Sequence, residues 1–136
     1  MKTGTQIQSD IIDLLKGSPL LAALSGGMYR GGMRPRGSKK EDLMVIFTTA
    51  LGGQLQQGDV TLNIYVPDIP VGKDGVLYQN SARCEEIERL ALEEIETWNV
   101  RSAYRFTLRA TISSDHDDDI NQSFVVVRLG FRVLDV

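Results

Sequence analysis

The chain has 136 residues, is 42% hydrophobic and 24% charged, and carries a net charge of −3, the profile of one globular domain long enough to bury a core without staples. The acidic balance argues against a nucleic-acid binder, and the single cysteine, Cys84, excludes an intrachain disulfide framework. No apolar run approaches membrane-spanning length and the N-terminal MKTGTQIQSD has no apolar centre to act as a secretory signal, so the expected location is the cytoplasm of the cell that makes it.

The first predicted element is a short helix over Thr5–Lys16, with Thr5 and Gln8 in capping-box spacing and Ile7, Ile11, Leu14 and Leu15 on its apolar face. Gly17 ends it. Ser18 and Pro19 then open a second short helix that Gly26–Gly27 stops. Met28–Lys40 follows, with Arg30, Arg34, Arg36, Lys39 and Lys40, no acid, and Gly31, Gly32, Pro35 and Gly37 to interrupt regular structure. It reads as an extended, mobile loop with a short strand at Met28–Arg30.

Asp42–Ala50 and Asp59–Val66 read as an antiparallel hairpin joined through Gly52, Gly53 and Gly58. In the second strand Val60, Leu62, Ile64 and Val66 alternate with Thr61, Asn63 and Tyr65. Ser81–Trp98 is the clearest helix. Cys84, Ile87, Ala91, Ile95 and Trp98 recur at three and four residues, Leu90 widens the stripe, and Glu85, Glu86, Glu88, Arg89, Glu93, Glu94 and Glu96 fill the remaining faces. After it, Tyr104–Ile112 alternates as a strand with Phe106, Leu108, Ala110 and Ile112 inward, SSDHDDDIN is a loop, and Gln122–Leu134 is the last strand. Val125, Val127, Leu129, Phe131 and Val133 form one face of that strand. Phe124, Val126, Arg128, Gly130, Arg132 and Leu134 form the other, and its apolar members suit a covering neighbour. Helices, hairpin, helix and hairpin in that order predict a single α+β domain over 1–136. Its mainly antiparallel sheet has four strands or slightly more, with the long helix and the short N-terminal helices packed on it and mobile loops near 28–41 and 113–121.

The chemistry-bearing clusters are weak. Asp115, His116, Asp117, Asp118 and Asp119 offer carboxylates to a hard cation, but the EF-hand spacing and its glycine are missing, and a solvated hairpin tip accounts for the run. The Arg30–Lys40 run lacks phosphate-loop order and aromatic interleaving beyond Tyr29. Cys84 sits near a helix start, where a thiol pKa is lowered, yet on an apolar face where cysteine usually only packs. The residues therefore give no catalytic, cofactor or metal site. The contact candidates are Arg30, Arg34, Arg36, Lys39, Lys40, Phe124 and Val126.

Taken together, LLKGSPLLAALSGGMYRGGMRP, LNIYVPD, the helix SARCEEIERLALEEIETW and the closing FVVVRLGFRVLDV give a chain that resembles the phage tail terminator (tail completion) and neck protein family in element order over nearly its whole length. The resemblance implies an α+β fold, a ring of identical subunits, commonly hexameric, and no catalysis. Its implied partners are other copies of itself and tail tube or neck proteins, with no membrane and no sequence-specific nucleic acid. A prophage would be its source, with a bacterial cytoplasm as the place of assembly and the virion as its destination. The basic loop and the acidic hairpin tip map onto no family motif. Two other readings stand beside this one: a small protein-binding or regulatory module using the basic loop, and a metal-dependent enzyme using the acidic cluster.

Overall fold

The structure, a computed structural model, describes residues 1–52 and 55–134. The first helix, α1, spans Gly4–Leu15. Its capping box lies two residues ahead of the expected one: the Thr3 hydroxyl accepts from the Gln6 amide (3.3 Å) and the Gln6 side chain accepts from the Thr3 amide (2.8 Å). Gln8 is thereby free to donate to the Val45 carbonyl (3.1 Å), while Ile7, Ile11 and Leu15 are fully buried. α2 (Pro19–Ala22) opens as expected, on the Ser18 hydroxyl and Pro19.

Among the described residues eight strands follow: β1 (Met28–Arg30), β2 (Leu43–Leu51), β3 (Leu55–Pro67), β4 (Ile69–Pro70), β5 (Leu77–Tyr78), β6 (Tyr104–Leu108), β7 (Ser113–Asp117) and β8 (Gln122–Leu134). The long helix α3 (Ser81–Arg101) lies between β5 and β6 and is capped by Asn80, whose side chain accepts from the Arg83 amide. The main sheet runs β1-β2-β3-β8-β6, with β7 also paired to β8; β4 and β5 form a separate two-stranded ribbon.

The expected α+β fold is found, and the mainly antiparallel sheet of four strands or slightly more becomes, among the described residues, a mixed sheet of six. One extra strand is β1, which pairs parallel to β2 at the edge. The other arises because the predicted strand Tyr104–Ile112 divides. Leu108 pairs with Leu129 and Ser113 with Val126, so the four residues 109–112 face only two on β8. This bulge throws Ala110 to the surface and lets the chain rejoin β8 as β7. Half of the predicted acidic loop is therefore strand. β3 begins at Leu55 rather than Asp59, and the expected turn residue Gly53 lies outside the described residues.

The core fills the space between one sheet face and the helices. Val60, Leu62, Ile64, Val125, Val127 and Leu129 from the sheet meet Ile87, Ala91 and Trp98 of α3 and the apolar face of α1. Trp98 meets Phe106 edge-on at 5.1 Å between ring centroids. The opposite face of the sheet, the back face, carries no helix among the described residues. Among the described residues no helix is long and apolar enough to cross a membrane.

Candidate partner-binding surface

Residues 31–40 fold over one end of the back face, and Arg34 holds them there. Its Nε donates to Asp42 (2.8 Å), and its Nη2 to Gln122 (2.8 Å) and to the Lys40 and Ser38 carbonyls (3.1 and 3.3 Å). The guanidinium also lies 3.9 Å above the centre of the Tyr65 ring. Gly32 and Gly37, at φ +80° and +71°, supply left-handed bends that a side chain disfavours. Asp42 further accepts from Ser38 (2.5 Å) and the Gly27 amide (3.0 Å). Burial pushes its carboxyl up, but these hydrogen bonds and the Arg34 charge outweigh it and hold the carboxyl below its ordinary value. Beside it, burial likewise raises the Glu41 carboxyl, and Arg83 and the Ser25 amide more than reverse the effect. Arg83 bridges to Glu41 (2.7 Å) and donates to the Ala23 carbonyl (2.5 Å), tying α3 to the end of α2.

The contact candidates therefore separate. Arg30 turns to α1, donating to the Thr5 carbonyl (3.0 Å), Gln8 (3.2 Å) and Ser9 (2.6 Å). Arg34 is enclosed in the arrangement just described. Arg36, Lys39 and Lys40 are exposed, and their charged groups meet no partner among the described residues. Phe124 and Val126 lie on the back face, as their alternation implies. Phe124 is half-buried against Tyr65, with ring centroids 5.8 Å apart. Val126 is buried in the register row Met44–Asn63–Val126–Ser113. The Oδ1 of Asn63 in that row is buried without a hydrogen bond.

The acidic tip has a defined partner in His116. Its Nε2 meets Asp68 (2.9 Å) and its Nδ1 meets Asp118 (2.6 Å), so the imidazole links β7 to the segment after β3. The hydrogen bond to Asp68, followed by that to Asp118, raises the His116 pKa. Among the described residues, no three His, Cys, Asp or Glu side chains converge as a metal site. Cys84 is buried, and that burial raises its thiol pKa, opposite to the lowering that a helix start alone would produce.

The far end of the back face is open. Arg128 and Arg132 project from β8 with no ion pair or hydrogen bond to either guanidinium among the described residues. Between them Arg109 crosses above Gly130, where a side chain would collide with it, and pairs with Asp59 (2.9 Å). Beyond them Leu51, Leu55 and Leu134 are 69, 46 and 62% exposed, and Leu55 stands opposite Leu134 in the register. The sequence carried the signal for this strip in the even-numbered residues of the last strand. The preceding basic loop has the higher charge density but spends two of its arginines internally. Neither the models of known protein families nor the curated proteins give a match to this chain.

Proposed function

We propose that the chain is a structural subunit of a phage or prophage virion, a tail terminator or head–tail joining protein that assembles as a ring, most simply hexameric. The observation that carries this reading is the open end of the back face. An exposed antiparallel sheet face is ordinarily polar, whereas this one ends in Leu51, Leu55 and Leu134, all well exposed. Leu55 and Leu134 stand side by side in the register, and exposed apolar surface at the end of a sheet suits a face that another protein covers. The family resemblance supplies the identity of that protein: neighbouring copies in the ring, stacked on tail tube or neck proteins. Assembly would take place in the bacterial cytoplasm and the product would be the virion. The reading assigns no catalytic step, cofactor or metal to the chain.

Deletion of the gene from a host that releases particles tests it. Heads and tails left unjoined, or tails of uncontrolled length, in negative-stain images are the expected result, with the chain present in wild-type particles by mass spectrometry. Normal joined particles made without the chain would overturn it.

A further inference from the structure

The two outer surfaces of this molecule carry unpaired charges of opposite sign at similar spacing. On α3, Glu85, Arg89, Leu92, Glu96 and Val100 recur at spacings of four, three, four and four and so share one line along the helix. All five are exposed, Val100 at 89%, and that line faces away from the buried stripe of Cys84, Ile87, Ala91, Ile95 and Trp98. Arg89 is taken up by Glu93 (4.0 Å), and no side chain among the described residues forms an ion pair with Glu85 or Glu96. On the back face, Arg128, Arg132 and Leu134 lie along β8, exposed, and neither guanidinium has a partner among the described residues.

The spacings agree. Arg128 and Arg132 are four strand residues apart, about 13 Å, and Glu85 and Glu96 are eleven helix residues apart, about 16 Å, a difference that arginine and glutamate side chains span. Beyond the second charge each line ends in an apolar residue: Leu134 two strand residues on, about 7 Å, and Val100 four helix residues on, about 6 Å. Between its two unpaired charges each surface holds a pair satisfied within the subunit, Arg89–Glu93 on the helix side and Arg109–Asp59 on the sheet side; the unpaired groups then read charge, charge, apolar on each surface, with the signs reversed between them.

We propose that the Arg128–Arg132–Leu134 strip of one subunit docks on the Glu85–Glu96–Val100 line of α3 of a second copy of this chain. The inference rests on the ring reading above and gives it an interface. The two surfaces lie on opposite sides of one subunit, so the contact is head-to-tail: each copy uses its strip on one neighbour and its helix on the other, and the chain of contacts closes as a ring when each step turns by the ring angle. Opposite charge fixes register and partner choice, and the leucine and valine ends add area that excludes water. The basic loop is no part of this contact, because it lies over the other end of the sheet.

A charge-swap experiment on the full-length chain tests it, read by sedimentation velocity up to millimolar protein at low and high salt. Wild type is expected to associate with rising concentration and to dissociate as salt screens the pairs. Arg128→Glu/Arg132→Glu and Glu85→Arg/Glu96→Arg are each expected to stay monomeric, with unchanged circular dichroism. An equimolar mixture of the two is expected to recover association, because each junction then joins opposite charges again. Where the reversal perturbs the fold, Arg128→Gln/Arg132→Gln takes its place and is expected to weaken association at least tenfold. Wild-type-like association of either reversed variant alone, or a mixture that remains monomeric, overturns this interface and leaves the ring reading standing. Absence of wild-type association up to millimolar protein overturns the interface as well, while the ring reading is decided by the particle assay. Loss of duplex-DNA binding in the Arg128 and Arg132 variant with association intact assigns the strip to nucleic acid and overturns the proposal.

Discussion

Arg34 and Asp42 show how much of a basic loop can be spent inside its own subunit. Their side chains are 15 and 2% exposed, and removal of one partner strands the other where water reaches it poorly. Arg34→Ala is expected to cost about 3 kcal/mol in urea denaturation, and Arg34→Lys to recover only part of it, since a point charge cannot fork between Asp42 and Gln122 while stacking on Tyr65. The pH dependence follows from the depressed Asp42 and Glu41 carboxyls. Their stabilising contribution is present above the ordinary carboxylate pKa of about 4 and is lost as pH falls through the depressed folded values. In Arg34→Ala, Asp42 keeps its bonds to Ser38 and the Gly27 amide but gains less from staying ionised, so the deficit against wild type should narrow as the solution is acidified. His116 has the opposite sign. Its raised pKa means that the stability it contributes is complete below about pH 6.5 and disappears as pH rises through the folded value. Asp68→Asn removes its first partner, and the His116 titration followed by NMR should move to lower pH.

Among the elements, α3 was the most legible in the sequence, because a stripe repeating at three and four residues over about four turns has no competing interpretation. Its limits were residue-specific. Periodicity assigns Glu94 to solvent with the other glutamates, yet it is buried, accepting from the Trp98 indole (3.1 Å) and from Arg101 (3.1 Å). The partners that make a buried carboxylate tolerable stand four and seven residues ahead, and periodicity alone does not register them. Leu90 was placed with the core and is only partly buried, at the margin of the stripe. Ile87→Ala should therefore cost about 2–5 kcal/mol and Leu90→Ala clearly less in the same denaturation series. The hairpin β2–β3 was legible through its alternation, whereas the division into β6 and β7 was not. Tyr104 to Ile112 alternates without a break, and only the pairing with β8 shows that residues 109–112 outnumber their partners. The parallel strand β1 was expected as a short strand, but its direction depends on contacts that no three-residue pattern encodes.

At the scale of the whole molecule, the sequence disclosed an α+β sandwich and placed Phe124, Val126 and Leu134 on a face away from the core. It did not disclose which parts of that face the subunit covers for itself. Loop 31–40 caps the Tyr65–Phe124 end and Val126 is buried, so the surface left for a partner shifts to Arg128, Arg132 and the three leucines. This changes how the basic loop should be tested. A reversal at Arg34 would lower stability through the loss of its bonds to Asp42 and Gln122 and so would not isolate a contact. Arg36, Lys39 and Lys40 are the informative positions, since each is exposed and its charged group has no partner among the described residues. Surface changes of this kind leave stability within about 0.5 kcal/mol. Arg36→Glu/Lys39→Glu/Lys40→Glu is therefore expected to melt like wild type and, because these groups lie outside the strip-to-helix contact, to associate like wild type. If the loop faces a tail or neck protein, the same variant should fail to join heads to tails in a particle assembly assay, and the defect should be worst at low salt, where the reversed charges repel most strongly. Normal joining by this triple variant would exclude the loop from partner recognition and leave the back face as the surface through which the subunit is read.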